Sequence, residues 1–89
     1  MKVKLEKFGT FLVSRPDGRE AFMVFKAYSK PEVSGEFIEL DFTNVRVLTP
    51  SWLAEFVQGI KDSFPNNPVK YLHSTNASVL QSIKTIEEE

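Results

Sequence analysis

Apolar and polar positions along the chain change rhythm several times, and each change predicts an element. Val3 and Leu5 alternate with lysines, and Phe11-Leu12-Val13 follow Gly9, which predicts a strand, a tight turn and a second strand. Ser14-Arg15-Pro16-Asp17 fits a capping box with proline in the first helical turn. Pro16-Asp17-Gly18 also reads as a plain turn that delays the helix to Arg19. In either case Ala21, Phe22, Phe25 and Tyr28 share one helical face, opposite Arg19, Met23 and Lys26. After the loop at 29–35, residues 37–42 (FIELDF) are almost continuously apolar, the pattern of a central strand covered on both faces.

The clearest helix follows Thr49-Pro50. Leu53, Phe56, Val57, Ile60 and Phe64 fall on one narrow stripe, with Ser51, Glu55, Gln58 and Asp62 opposite. Pro65-Asn66-Asn67-Pro68 ends it, residues 69–72 form a short strand, and Asn76 caps a last helix with the stripe Val79, Leu80, Ile83 and Ile86. Glu87-Glu88-Glu89 places like charges at the negative end of that helix, so 87–89 is expected to fray. The order β-β-α-β-α-β-α predicts a single α/β domain over 1–89 with a mainly parallel sheet and crossover helices. Functional groups of such sheets gather beyond the carboxyl ends of the strands. Here that edge is expected to hold Arg15, residues 41–44, residues 49–52 and residues 73–75.

Composition narrows the function classes. With 42% apolar and 26% charged residues the chain is an ordinary globular one, and eight phenylalanines supply bulk to a small core. A net charge of −1 gives no basic surface for nucleic acid. There is no cysteine, which removes disulfides and thiol chemistry, and a single histidine makes a conventional zinc site improbable. No apolar run approaches the roughly 20 residues of a membrane span. The start, MKVKLEKFG, has no apolar signal core, so a cytoplasmic domain is expected.

LDFTNVRVLTPSWLAEF (40–56) resembles the signature of STAS domains, the fold of anti-sigma factor antagonists and sulphate-transporter tails. It looks more closely like the STAS-like family of unknown function, in which a strand ending L-D-F leads to a Ser-aromatic-x-x-Glu-Phe helix start. FGTFLVSRPDGREAF (8–22) matches the family's strand, Ser-Arg and helix segment, so the resemblance spans nearly the whole chain. In phosphorylatable STAS antagonists the loop carries Asp-Ser-Ser-Gly, whose first serine accepts phosphate. Setting Asp41 on the family's strand aspartate puts Pro50 at the acceptor position and Trp52 at the glycine. The resemblance therefore implies a non-catalytic regulatory or protein-interaction module without a kinase switch at that position. Its partner is expected in trans, an ATPase- or kinase-like regulator.

Several residues carry alternative roles. Thr49-Pro50 is a helix start, threonine as N-cap and proline at the first helical position, while Thr49 and Ser51 remain hydroxyls that a helix N-terminus would favour for phosphate. Arg15 is expected to pair with Asp41 or Glu55. The sharper alternative makes it an anion contact beside the second helix, in a nucleotide- or anion-sensing domain. Ser51, His73 and Asp41 share an edge, but neither a G-x-S-x-G elbow nor a glycine-rich oxyanion loop accompanies them, so catalysis is not expected, nor any cofactor. Gly59 lies on the flank of Trp52 one heptad on. A mid-helix glycine costs about 1 kcal/mol against alanine, which implies the close approach of something. That is either a neighbouring helix or a partner held by Trp52 as a partly exposed anchor.

Overall fold

The computed structural model describes residues 1–88. Its elements are β1 (Lys2–Lys4), a 3-10 turn (Leu5–Phe8), β2 (Phe11–Leu12), α1 (Arg15–Tyr28), β3 (Ile38–Asp41), β4 (Val47–Leu48), α2 (Pro50–Ser63), β5 (Val69–Tyr71) and α3 (Ala77–Glu87). Every strand pairing is parallel, as the strand–helix alternation predicts. β3 is central in a three-stranded sheet of order β1-β3-β5, and its Ile38 and Leu40 are fully buried. The expected strand 37–42 is thus the middle of the sheet, although Phe37 lies before it and is 53% exposed.

Two features differ from the sequence expectation. The chain does not turn tightly from β1 into β2. Leu5 drops into the core within the 3-10 turn, and Gly9, at a φ of 128° that disfavours other residues, redirects the backbone. β2 therefore leaves the main sheet and pairs instead with β4, a two-residue strand too short to leave a pattern in the sequence. The result is a repeated order, main-sheet strand, short strand, helix, made first by β1-β2-α1 and then by β3-β4-α2. The third unit has only β5 and α3. Where a third short strand would pair with β4, α3 supplies side chains: Ser78 Oγ accepts from the Leu48 amide at 3.1 Å, and Ser82 Oγ donates to the Leu48 carbonyl at 3.0 Å.

That pairing explains the displaced stripe of α3. Val79 is buried as expected, but Ser82 is 1% exposed and Leu80 is 49% exposed, because the helix is turned to bring hydroxyls to a bare strand edge. Asn76 fixes the same junction, accepting from the Ser78 and Val79 amides and donating to the Val45 and Arg46 carbonyls. Of the tail expected to fray, Glu87 is the last residue of α3, Glu88 caps the helix, and Glu89 lies outside the described residues.

The two long helices begin as the sequence indicates. Ser14 Oγ accepts from the Asp17 amide and Thr49 Oγ1 from the Trp52 amide, with proline in both first turns. α1 starts at Arg15, which decides against the delayed start. Ala21, Phe22 and Phe25 are buried, whereas Tyr28, the last helical residue, is 85% exposed, contrary to the predicted face. On α2 the stripe Leu53, Phe56, Val57 and Ile60 is buried, and Phe64 just past the helix is half-buried against it.

α1 and α2 run side by side through an aromatic seam. Phe22 and Phe25 meet Phe56 at ring separations of 6.3 and 5.8 Å, and Phe25 meets Phe64 at 6.1 Å. Two glycines permit this closeness. A methyl group on Gly18 would sit 2.5 Å from the Trp52 carbonyl oxygen, and one on Gly59 would sit 2.5 Å from the Phe22 ring. Gly59→Ala gains about 1 kcal/mol of helix propensity yet should destabilise by roughly 1–3 kcal/mol net, since the ring must move. Gly18→Ala should cost at least as much, because a backbone carbonyl cannot rotate aside. Urea midpoints measure both, and a Phe22→Leu background should shrink the Gly59→Ala cost alone.

Candidate functional site

The predicted edge divides into two clusters that no described hydrogen bond or ion pair joins. The first is built by the starts of α1 and α2. Arg15 Nη1 lies 3.1 Å from Glu55 Oε1, so of the two expected partners the arginine takes Glu55 and not Asp41. Arg19 reaches the same oxygen at 3.6 Å, a second cation that the sequence pattern placed on the outward face without a partner. Both arginines are largely exposed, while Glu55 is mostly covered. Thr49 acts in two directions: its hydroxyl accepts from the Trp52 amide and donates to the Val13 carbonyl, tying the start of α2 to the end of β2. Ser51 is half-buried in the first turn of α2, with no described side-chain hydrogen bond.

The second cluster lies past the carboxyl ends of β3 and β5. Asp41 is 8% exposed, accepts from the Thr43 amide and hydroxyl at 3.0 and 2.7 Å, and stands 3.6 Å from Lys2. The Thr43 hydroxyl, then its amide, and more weakly Lys2, hold the carboxyl below its ordinary range against the opposing effect of burial. Residues 42–45 and 73–76 line an open cleft of about 280 Å³ with His73 at its exposed margin. Asn44 closes the loop at a left-handed φ of 67°, its amide donating to Glu6. The Asp41 carboxylate faces Thr43 and Lys2, and the described hydrogen bonds connect neither His73 nor Ser51 to it. Among the described residues, no group of three or more acidic or histidine side chains is placed to hold a metal ion, and no helix is long and apolar enough to cross a membrane.

Trp52 and Gly59 require a correction. Trp52 is 1% exposed, stacked on Phe56 at 5.2 Å with 10° between the rings and tilted against Phe8 at 6.3 Å. The Gly59 flank is occupied by Phe22 of α1, and no open notch remains there. The glycine signal was legible, but of its two explanations the neighbouring helix is the real one. Trp52 is a core residue.

A different surface emerged that the sequence pattern did not single out. Between β2 and α1 lies an open cleft of about 330 Å³ floored by Leu12, Ala21 and Trp52. Phe11 and Val24 wall it at 61% and 44% exposure, and Asp17 and Glu20 edge it. One signal was available: Phe11-Leu12-Val13 are all apolar, yet a strand covered on one face buries only alternate residues.

Comparison with protein-family models matches residues 24–81, well over half of the chain, to a STAS-like domain of unknown function. The chain belongs to that family. The match runs from the middle of α1 to α3, so Arg15, β2 and most of the cleft lie outside it. Neither curated proteins nor solved structures gave a match. The architecture of parallel strands with covering helices is consistent with a STAS-like fold, and Asp41 ends the central strand.

Two outcomes follow from this geometry. Trp52→Ala should cost roughly 3–5 kcal/mol and abolish the cooperative melt. Because the folded Asp41 carboxyl titrates lower than an unfolded one, its contribution is full above the ordinary carboxylate range and disappears as pH falls through the folded value. The stability gap between wild type and Asp41→Asn should therefore close on acidification, read as melting temperature against pH. A gap independent of pH would remove the carboxylate from the account.

Proposed function

We propose that this STAS-like domain is a non-catalytic regulatory module that works by binding a protein partner in trans. The observation that carries the proposal is the apolar surface left open beside α1, where Phe11, Val13, Met23 and Val24 are all between 44% and 61% exposed. Loose apolar side chains are ordinary on a surface, but Phe11 and Val24 wall one cleft, with Val13 and Met23 exposed on the same two segments of chain, and exposed apolar surface of this kind marks interaction sites. The polar groups at the strand ends support the same reading from the other side. Asp41, Thr49, Asn76 and Arg15 are each engaged by neighbours of the fold.

Anion sensing through Arg15 and the start of α2 is the weaker reading. Glu55 already holds Arg15 and Arg19, so an anion would have to displace a carboxylate from both. A phosphate switch at the start of α2 is disfavoured as well. Pro50 has no hydroxyl, and phosphate on Thr49 would break both its cap and its bond to Val13.

The full-length protein should capture a stoichiometric protein partner from its host, and Ser51→Ala and His73→Ala should leave that capture unchanged. Hydrolytic turnover lost in Ser51→Ala, or nucleotide binding lost in Arg15→Ala, would replace the module with an enzyme or a sensor.

A further inference from the structure

The geometry points to the outer edge of β2 as the docking line for an extended segment of a partner protein, one that carries a large apolar side chain flanked by lysine or arginine. The inference rests on the interaction-module reading and gives it a site and a ligand chemistry.

The backbone supplies the first argument. Thr10 and Leu12 carbonyls accept from the amides of Val47 and Thr49, so these residues face β4. By alternation the amide and carbonyl of Phe11 point the other way. On β4 the corresponding outward groups belong to Leu48, and there Ser78 and Ser82 satisfy both. No described side chain does the same for Phe11. The domain thus closes one edge of its small sheet with serines and leaves the other open, an edge ready to take an added strand.

Side chains supply the second argument. A strand laid along β2 would run beside the cleft walled by Phe11 and Val24 and floored by Leu12, Ala21 and Trp52, which accepts an apolar side chain. Asp17 and Glu20 edge that cleft, and neither takes part in a described ion pair. The flanking charge that fits is positive. The same carboxylates argue against a second copy of this chain, since a twofold pairing across β2 would bring acidic edge against acidic edge.

The test uses the intact protein and a blocked peptide of about seven residues, leucine at its centre and alternating lysines around it. A matched peptide with glutamates in place of lysines is the control. Amide chemical shifts should move at residues 10–13 and 17–24 with the lysine peptide, and hydrogen exchange at the Phe11 amide should slow. Phe11→Ser and the Asp17→Asn, Glu20→Gln double variant should each weaken binding about tenfold or more, with melting temperatures unchanged. Equal binding of the glutamate peptide, no shift in that region, or concentration-dependent dimers lost in Phe11→Ser would overturn the assignment. If the captured partner instead shifts the amides around Arg15 and Ser51, the module reading survives and the β2 site does not.

Discussion

The whole arrangement depends on how closely α1 lies on α2. Gly18 lets the first turn of α1 rest against the backbone of Trp52, and Gly59 lets the Phe22 ring approach the middle of α2 closely. Both helices therefore begin side by side at the carboxyl ends of the strands. From that single contact come the burial of Trp52, the meeting of Arg15 and Arg19 on Glu55, and the bond from Thr49 to the end of β2. A side chain at either glycine would push the helices apart and loosen the aromatic seam beneath them.

The second constraint is the treatment of strand edges. A sheet this small cannot hide its edges by adding strands, so every outward amide and carbonyl needs another partner or is left to water. α3 gives β4 two serine hydroxyls, at the expense of a leucine turned to solvent. β2 receives nothing comparable, and the apolar residues around it stay uncovered. In a family defined without a function, this asymmetry between two strands of one small sheet is the most informative feature of the surface.

At the strand ends, where α/β domains usually keep their chemistry, Asp41, Thr49 and Asn76 are each engaged by the fold. Asp41 organises the loop after β3 through Thr43, Asn76 fastens that loop to α3, and Thr49 binds two elements at once. Such groups are strongly placed and already partnered, and on the proposed reading they form a scaffold for recognition. The proline in place of a phosphoacceptor agrees with this, since it makes a firm helix start and offers no hydroxyl.

By itself the sequence determined what is local or periodic. It determined both long helices, the Thr49 and Asn76 caps, the core stripe of α2, the central apolar strand and the parallel class that follows from strands alternating with helices. These are set within a few turns of chain, where spacing alone decides which side chains share a face. It also determined that Gly59 has a close neighbour, without saying which. Tertiary structure decided the rest. Phe22 rather than a partner fills the space at Gly59, Trp52 is interior, β2 pairs with β4 and not with β1, and Ser82 displaces Leu80 from the core. Each of these turns on a contact between residues more than thirty positions apart. A two-residue strand or an inward serine has no periodic signal of its own, and its place is set only by the unpaired backbone group that it meets.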